Sequence, residues 1–382
     1  MVLGGEPHRT AYRRSARRVP TRKVTVTDSE NARIREFAER LIGADSSAWT
    51  ATFAQVPRHH FAPSFYAMTG GGWKEVKDGD PGYLDGVYSD AALTTQTDDK
   101  GIPNSSSSEP SLMLAMLEAL NVRPGDAVFE LGTGTGYNAA LLCARLGDAR
   151  VVSVDVDEEL VRVARDRLAE LGYSPTLAAG DGAAGYPEKA PYDRLIATAR
   201  LRSVPRAFLE QSADGAVMVV PIGFGVARLS VTGKAEADGH FMPVPAHFMP
   251  RRAEGAAPRF AELETQEARP TSVNVAEVLD RLSFPLSLVM PDYTSCTWVD
   301  DDGTPSAFGL WTGDGSTATA TVTGKVRQTG PRHLWDELEQ LAVTFEDIGS
   351  VSREDFGIIV TPDGQRVWYG AEDGPSWALT AE

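Results

Sequence analysis

Between residues 127 and 222, short apolar runs alternate with segments whose apolar residues recur at helical spacing. Such runs, bounded by Gly, Pro or Asp, predict buried strands, and the helical spacing predicts helices between them. The predicted strands are 127–131, 151–154, 176–179, 194–198 and 216–221, and the predicted helices are 137–146, 157–171 and 204–211. Strands that alternate with helices in this way are typical of a doubly wound α/β domain with a parallel sheet.

Before this alternating region, helices are predicted at 28–42 and at 110–120, and the second opens on Pro110. Between them, residues 69–110 are rich in Gly, Asp, Ser, Thr and Pro and show little periodicity. An irregular stretch of this length inside a domain predicts a functional or mobile segment.

After residue 222, alternating positions at 227–232 and 241–248 predict a hairpin that turns at Asp238-Gly239. Residues 254–258 have the composition of a linker, and the chain beyond them predicts an α+β domain. Its predicted elements are helices at 275–282 and 333–344, strands near 308–311 and 318–326, and a hairpin over 356–368 that turns at Asp363-Gly364. We therefore divide the chain into a basic, disordered arm (1–27), an α/β domain (28–252) and a C-terminal α+β domain (253–382).

Composition excludes several function classes. A net charge of −16 argues against a protein that grips nucleic acid over a broad face. No apolar run is long enough to span a membrane, and no apolar leader opens the chain, so neither a membrane protein nor a secreted one is expected. The two cysteines, Cys143 and Cys296, predict a reduced, cytoplasmic protein with structural thiols. The His59-His60 pair has no second His or Cys cluster at ligand spacing, so no metal site is predicted.

The candidate chemistry lies where the predicted strands end. The first strand runs into Glu130-x-Gly132-x-Gly134-x-Gly136, Asp155 closes the second, and Gly180-Asp181-Gly182 follows the third. The carboxyl ends of parallel strands share one edge of a sheet, so these segments predict a nucleoside-binding crevice. A dinucleotide loop G-x-G-x-x-G would need glycine at Tyr137. The pattern therefore favours S-adenosylmethionine and methyl transfer, with a nicotinamide enzyme as the alternative.

Each part of this crevice has a predicted role toward the cofactor. The glycines let the backbone approach the methionine portion, and the helix that starts at Tyr137 presents N–H groups to its carboxylate. Asp155 is predicted to bind the ribose hydroxyls, and Asp181 with Gly182 to bracket the adenine. The predicted cofactor-binding residues are Glu130, Gly132, Thr133, Gly134, Gly136, Tyr137, Asp155, Asp181 and Gly182.

Residues from about 53 to 249 resemble the protein-L-isoaspartate O-methyltransferase family. The motifs that carry the resemblance include Val56-Pro57-Arg58-His59-His60-Phe61-Ala62-Pro63, Tyr88-Ser89-Asp90, Ser108-Glu109-Pro110-Ser111-Leu112-Met113, the glycine loop, Leu171-Gly172-Tyr173 and Ala190-Pro191-Tyr192-Asp193. The resemblance implies a Rossmann-like class I methyltransferase domain that uses S-adenosyl-L-methionine and releases S-adenosyl-L-homocysteine. It also implies that Ser108 lies beside the methyl-accepting carboxylate. Ser107, His60 and Tyr88, in or next to these motifs, are predicted substrate contacts.

The chain departs from the family at the serine motif and at its C-terminal end. The family's Gln is Glu109, and its usual Thr-Ile before the Ser is Ser106-Ser107. Glu109 would repel a carboxylate substrate, so we expect it to point away from the pocket. Repair enzymes of the family usually end near the position of Met249. The added C-terminal domain resembles that of enlarged relatives that accompany ribosomally made, modified peptides such as lanthipeptides.

Those enlarged relatives methylate an ordinary aspartate of a constrained peptide, and the ester collapses to a succinimide that persists or opens to isoaspartate. The resemblance therefore implies a modified precursor peptide as the substrate, recognised partly by the C-terminal domain. Two alternatives remain open. One is repair of isoaspartyl-containing proteins, and the other is a peptide-binding module with a degenerate cofactor site.

A carboxylate substrate asks little of the site, because it is already ionised at neutral pH with a pKa of about 4. Ser108 is predicted to donate a hydrogen bond that fixes this carboxylate, to cap the helix that opens at Pro110, or to do both. The tryptophans of the C-terminal domain predict either its own core or a peptide-binding face.

Overall fold

The computed structural model describes residues 27–42, 47–70, 72–98, 101–249 and 258–380. Residues 1–26 of the predicted basic arm and most of the predicted linker lie outside these ranges. The helices are α1 (Asp28–Ile42), α2 (Thr50–Gln55), α3 (Arg58–Phe61), α4 (Tyr83–Val87), α5 (Pro110–Leu120), α6 (Tyr137–Leu146), α7 (Glu158–Glu170), α8 (Arg206–Glu210), α9 (Phe260–Leu263), α10 (Val275–Glu277), α11 (Ser283–Val289) and α12 (Leu334–Thr344). The strands are β1 (Ser64–Thr69), β2 (Gly72–Lys77), β3 (Leu93–Thr97), β4 (Pro103–Ser107), β5 (Val128–Leu131), β6 (Val151–Asp155), β7 (Thr176–Ala179), β8 (Tyr192–Ala197), β9 (Ser212–Ile222), β10 (Gly225–Gly233), β11 (Glu236–Phe241), β12 (Arg269–Pro270), β13 (Thr294–Val299), β14 (Pro305–Trp311), β15 (Thr317–Thr321), β16 (Lys325–Thr329), β17 (Phe356–Thr361), β18 (Gly364–Tyr369) and β19 (Ser376–Leu379).

The central sheet contains five parallel strands in the order β7-β6-β5-β8-β9. From β5 the chain passes to one side for β6 and β7 and then crosses to the other side for β8. The strand order therefore reverses beside β5, and a crevice opens at the carboxyl ends of β5 and β8. The predicted doubly wound α/β fold is confirmed.

Burial explains why the alternating pattern is so clear in this sheet. All four residues of β5 are buried, because helices cover both faces of a parallel sheet. The helix α7 buries one face, at Val161, Ala164 and Leu168. Its start is fixed by Asp157, whose Oδ1 accepts a hydrogen bond from the backbone N–H of Glu159 at 2.9 Å.

A second sheet precedes the parallel one, so the predicted irregular segment at 69–110 is wrong. This sheet is antiparallel, with the order β2-β1-β3-β4. The sequence of β4 is Pro-Asn-Ser-Ser-Ser, and such a polar strand shows no apolar alternation. The residue pattern therefore does not indicate strands of this kind, which are stabilised by pairing with neighbouring strands.

The hairpin after β9 also differs from its prediction. β10 pairs with β11, which ends at Phe241, and the chain turns at residues 234–235, not at Asp238-Gly239. Gly239 lies inside β11 opposite Leu229, where any Cβ would collide with the Arg228 carbonyl group. The glycine marks a close approach of two strands rather than a turn.

The C-terminal extension, residues 258–380, contributes to two sheets. β12 to β16 form an antiparallel sheet of their own, in the order β12-β16-β15-β14-β13. β17, β18 and β19 instead extend the central sheet beyond β11, with Asp238 opposite Ile359 and His240 opposite Gly357. The predicted C-terminal domain thus shares a sheet with the α/β domain. Its predicted strand at 318–326 is the β15–β16 hairpin.

Several aromatic residues of the extension belong to its core. Trp335 is completely buried, and the rings of Tyr369 and Trp377 lie 5.1 and 6.0 Å from the ring of Phe345. Trp298, on the edge strand β13, is 40% exposed. The structure therefore supports the core interpretation for the first three and not for Trp298.

In the part of the chain that the structure describes, no helix combines the length and apolar character needed to cross a membrane. The same residues include no group of three His, Cys, Asp or Glu side chains that could hold a metal ion.

Candidate active site

A cavity of about 450 Å³ lies at the carboxyl ends of β5, β6 and β8. One side is formed by the glycine loop after β5 and by residues that follow β6, β7 and β8. The opposite wall, called the serine wall below, consists of the serines of β4, Ser108 and the start of α5. Pro245, His247, Phe248 and Met249 form the rim. The predicted site residues that line the cavity are Gly132, Thr133, Gly134, Tyr137, Asp155, Asp181, Gly182, Ser107 and Ser108.

Two glycines shape the loop after β5 because neither position has room for a side chain. Gly132 has a φ of +97°, and a Cβ there would collide with the Thr198 hydroxyl. Gly136 has a φ of +88°, and its Cβ would lie 3.0 Å from the Cβ of Ala164 in α7. The loop is therefore pressed against β8 and α7, and its backbone runs along the cavity. Gly136 itself does not line the cavity.

Asp155 is held at the end of β6 by the loop itself. Its Oδ2 accepts a hydrogen bond from the backbone N–H of Gly134 at 2.8 Å, and its Oδ1 accepts one from the N–H of Asp157 at 3.1 Å. A carboxylate can accept about four hydrogen bonds, so capacity remains for a ligand in the cavity. The carboxylate is thus fixed in place and able to accept from a pair of hydroxyl groups.

Asp181 and Gly182 close the same side of the cavity after β7. The Asp181 Oδ1 accepts a hydrogen bond from the backbone N–H of Ala183 at 3.0 Å and starts a short 3-10 helix, Gly182–Ala184. A Cβ at Gly182 would lie 2.6 Å from Cγ of Leu131, at the end of β5. The absence of a side chain lets this turn approach β5.

Glu130 lies behind the cavity wall rather than on it. It is completely buried, and its Oε1 accepts a hydrogen bond from Nδ2 of Asn138 at 2.7 Å. Asn138 lines the cavity. Burial raises the pKa of Glu130 to about 7, although hydrogen bonding by Ser153 and Asn138 offsets part of the rise. Any effect of Glu130 on a ligand therefore passes through Asn138.

The structure tests one of the two predicted roles of Ser108, the capping of α5. The helix α5 begins after Glu109, without a side-chain cap from its own N-cap residue. The backbone N–H of Ser111, in its first turn, donates to Oδ1 of Asp90 at 2.9 Å. The Ser108 hydroxyl forms no hydrogen bond within the described ranges, so the capping interpretation is wrong. Its side chain lines the cavity instead.

Glu109 also lines the cavity, against the expectation that it points elsewhere. Its side chain is exposed, and its Oε1 accepts a hydrogen bond from the Ser111 hydroxyl at 2.9 Å. Water and this hydroxyl both stabilise the charge at the outer end of the serine wall.

Arg58 is the residue that sequence reasoning missed. It is completely buried and holds the serine wall through its guanidinium group. That group donates hydrogen bonds to the carbonyl oxygens of Val87, Ser89, Ala91, Ser107 and Ser108, at 2.9 to 3.2 Å, and to the Ser107 hydroxyl at 3.3 Å. Burial lowers the pKa of Arg58 to about 10, which leaves it charged at neutral pH. The sequence feature that could have indicated this role is a charged residue between the apolar residues Val56 and Phe61.

His60 and Tyr88 are not brought into the cavity. His60 Nε2 lies 2.9 Å from the carbonyl oxygen of Arg167 on the far side of α3. Tyr88 is 3% exposed, and its hydroxyl lies 2.6 Å from Nδ1 of His59. Both side chains are engaged in packing α3 against its neighbours, so their predicted substrate contacts have no support in the geometry.

Sequence comparison places these features in a known family. A family profile described as "Protein-L-isoaspartate(D-aspartate) O-methyltransferase" matches residues 80–244. A protein-L-isoaspartate O-methyltransferase of Methylorubrum populi is 34% identical over 198 residues, which are 52% of this chain and 82% of that protein. The chain belongs to the protein-L-isoaspartate O-methyltransferase family. It is therefore a protein carboxyl O-methyltransferase, and its cofactor is S-adenosylmethionine.

Two further relatives show how far the family likeness reaches. The protein-L-isoaspartate O-methyltransferase of Ignicoccus hospitalis is 44% identical over 117 residues, which are 30% of this chain and 56% of that protein. A solved structure named protein-L-isoaspartate O-methyltransferase aligns with a TM-score of 0.53 and 22% identity, and covers 89% of this chain and 100% of its own. The shared fold thus includes most of the extension. The likeness in fold therefore continues beyond the position of Met249.

Proposed function

We propose that the cavity binds S-adenosylmethionine on its glycine side and the carboxylate of a peptide on its serine side. The contacts of the glycine side support this arrangement. Asp155 is fixed by two backbone N–H groups and can accept from the ribose hydroxyls, while Asp181 and Gly182 stand where the adenine would lie. The confined loop between Gly132 and Gly136 would carry the methionine portion.

When bound, the cofactor would supply a methyl group on a positively charged sulfur. Transfer of this methyl to a carboxylate oxygen would break the carbon–sulfur bond and leave S-adenosylhomocysteine. The carboxylate is ionised at neutral pH, so the protein need not remove a proton. Its own residues must orient the carboxylate and exclude water.

The observation that carries this function is the Ser108 hydroxyl. Ser108 lines the cavity, and within the described residues its hydroxyl takes part in no hydrogen bond. No lysine or arginine occurs among the described residues that line the cavity, so hydroxyl groups are the main donors for a carboxylate there. Arg58 fixes the backbone that carries Ser108 without itself reaching the cavity.

We infer further that the substrate is an aspartyl side chain in a ribosomally made, modified peptide, with a succinimide and then isoaspartate or a stable imide as later products. Two departures from the family support this substrate. Ser106 and Ser107 line the cavity where the family usually has Thr-Ile, and smaller side chains there would leave room for a constrained peptide. The extension lies outside the matched range 80–244, and its Ser287 hydrogen-bonds to Phe224, whose ring contacts His247 on the rim.

Repair of isoaspartyl residues is the second candidate. The names of the relatives favour it, and so does the solved structure of that name whose fold covers most of the extension. In that case the acceptor is the carboxylate of an isoaspartyl residue, held by the same serine wall.

Mass spectrometry with two substrates distinguishes these candidates. The purified enzyme and S-adenosylmethionine are incubated with an isoaspartyl-containing peptide and, separately, with the modified precursor peptide encoded beside the gene. Gain of one methyl group followed by loss of methanol on the precursor alone supports the biosynthetic substrate. Methylation of the isoaspartyl peptide alone supports repair. Methylation of neither, in an enzyme that binds the cofactor, contradicts both.

A further inference from the structure

The rim of the cavity rests on Phe224, in the turn between β9 and β10. The ring of His247, which lines the cavity, lies 4.6 Å from the ring of Phe224. The backbone N–H of Ala246 donates to the carbonyl oxygen of Phe224 at 3.2 Å. The N–H of Arg200 donates to the carbonyl oxygen of Met249, another lining residue, at 2.9 Å. The rim is thus anchored at two points.

The extension fixes Phe224 from the other side. The Ser287 hydroxyl accepts a hydrogen bond from the backbone N–H of Phe224 at 2.8 Å, and the ring of Tyr293 lies 5.6 Å from its ring. Arg353 Nε donates to the Phe224 carbonyl oxygen at 3.3 Å. Three residues of the extension therefore fix the position of Phe224 and, through it, the position of the rim.

Two arginines contact Phe224, although acidic residues outnumber basic ones in the chain by 53 to 37. The Arg200 guanidinium lies 5.5 Å from the centre of the Phe224 ring. Arg353, which belongs to the extension, contacts the backbone of the same residue through its Nε. Arg200 directly follows Ala199, which lines the cavity. Positive charge is therefore gathered at the mouth of the cavity, next to His247.

Arg200 has no counter-ion among the described residues. Within the described ranges its guanidinium is half-buried and takes part in no hydrogen bond or ion pair, and its only polar contact is with the face of Phe224. Such a cation–π contact stabilises the charge less than a paired carboxylate does when water is partly excluded. The five N–H donors of Arg200 thus have no acceptor in the part of the chain that the structure describes.

The pKa of His247 reports the same excess of positive charge. Burial lowers its pKa, and the cations Arg353 and Arg200 lower it further. His247 is therefore neutral at pH 7, and the charge at the rim comes from the arginines.

We propose that Arg200 forms a second carboxylate subsite at the rim, where it binds an acidic side chain of the peptide next to the methyl-accepting residue. This inference rests on the proposed function, because it names the class of peptide that the same cavity accepts. The planar guanidinium suits a carboxylate, which it can bind through two parallel hydrogen bonds. The extension contributes by holding Phe224, on which Arg200 lies, rather than by a separate peptide-binding face.

The test uses peptides that differ only in Glu or Gln immediately after the methyl-accepting residue, each made in an aspartyl and an isoaspartyl version. Methyl transfer is measured as kcat/KM, and peptide affinity is measured separately by calorimetry with S-adenosylhomocysteine present. The wild-type enzyme should favour the Glu peptide about tenfold or more, mainly through KM, because a hydrogen bond to a charged group contributes about 1.5–3 kcal/mol.

Arg200→Gln should remove this preference, because kcat/KM and affinity should fall for the Glu peptide and change little for the Gln peptide. Arg200→Lys should keep part of the preference. Arg206→Gln is the matched control, since Arg206 lies on the surface and pairs with Glu210 at 2.7 Å. Equal turnover and equal binding of the Glu and Gln peptides by the wild type would overturn the subsite, as would a preference that survives in Arg200→Gln. A binding preference that depends on Arg200, without methyl transfer to any peptide, would contradict the proposed function and leave the subsite standing.

Discussion

Arg58 Nη2 donates a hydrogen bond to the Ser108 carbonyl oxygen at 3.0 Å. A buried cation on α3 thus holds the backbone of a serine that lines the cavity. The same guanidinium also binds four other carbonyl groups, three of them in residues 87–91, so it ties the serine wall to that segment.

Arg58→Met should lower the free energy of unfolding by about 3 kcal/mol or more, because several buried carbonyl groups lose their donor at once. Urea denaturation measures the change. Arg206→Gln, at an exposed arginine, should leave the unfolding midpoint unchanged. An Arg58→Met protein as stable as the wild type would show that the hydrogen bonds of Arg58 contribute little.

Ser108→Ala should reduce kcat for methyl transfer about tenfold or more, because the hydrogen bond that fixes the carboxylate is lost. The affinity for S-adenosylhomocysteine should not change, since Ser108 lies on the opposite wall from Asp155. Ser111→Ala is the control, because Ser111 lies in the first turn of α5 but outside the cavity lining. If both variants retain full kcat, the serine wall does not orient the substrate.

Gly132→Ala and Gly125→Ala form a matched pair, because both glycines have a φ of +97°. A Cβ at Gly125 meets nothing within 4 Å, whereas at Gly132 it collides with the Thr198 hydroxyl. Both variants should lose about 1–2 kcal/mol from the backbone conformation alone. Gly132→Ala should lose about 1–3 kcal/mol more through overpacking, which comparison of their denaturation curves measures. Equal losses would contradict the close packing of the loop against β8.

Glu130→Gln should change how stability depends on pH. The pKa of Glu130 in the folded protein is about 7, above the ordinary 4.5, so the folded state binds more protons than the unfolded state between these values. The contribution of Glu130 to stability is therefore full below pH 4.5 and is lost as the pH rises through 7. Relative to Glu130→Gln, the wild type should lose up to about 3 kcal/mol between pH 5 and 8. Parallel stability curves for the two proteins would contradict the raised pKa.

The sequence predicts the parts of the fold in which burial controls residue type. The apolar residues of β5 and one face of α7 are examples, as are the glycines that pack against Thr198 and Ala164. Strands that are stabilised by pairing rather than burial are not predicted, and β4 is the clearest case. Gly239 shows a different limit, because a glycine required by close strand approach resembles one required by a turn.

In the site, the sequence indicates the residues at strand ends, since topology alone brings these together at one edge. It does not reveal Arg58, whose five carbonyl partners come from two separate segments of chain, 87–91 and 107–108. Nor does it show that Glu130 acts from behind Asn138, because only the packed structure decides which side of a wall a side chain occupies.

The most direct test of the cofactor site is calorimetric titration of S-adenosylhomocysteine into three proteins, the wild type, Asp155→Asn and Asp157→Asn. Asp155 lines the cavity, whereas Asp157, two residues later, caps α7. We expect Asp155→Asn to bind about tenfold more weakly or worse and Asp157→Asn to bind as the wild type does. Equal affinity in all three proteins would contradict the assigned role of Asp155, and no binding to the wild type would indicate a peptide-binding module with a degenerate cofactor site.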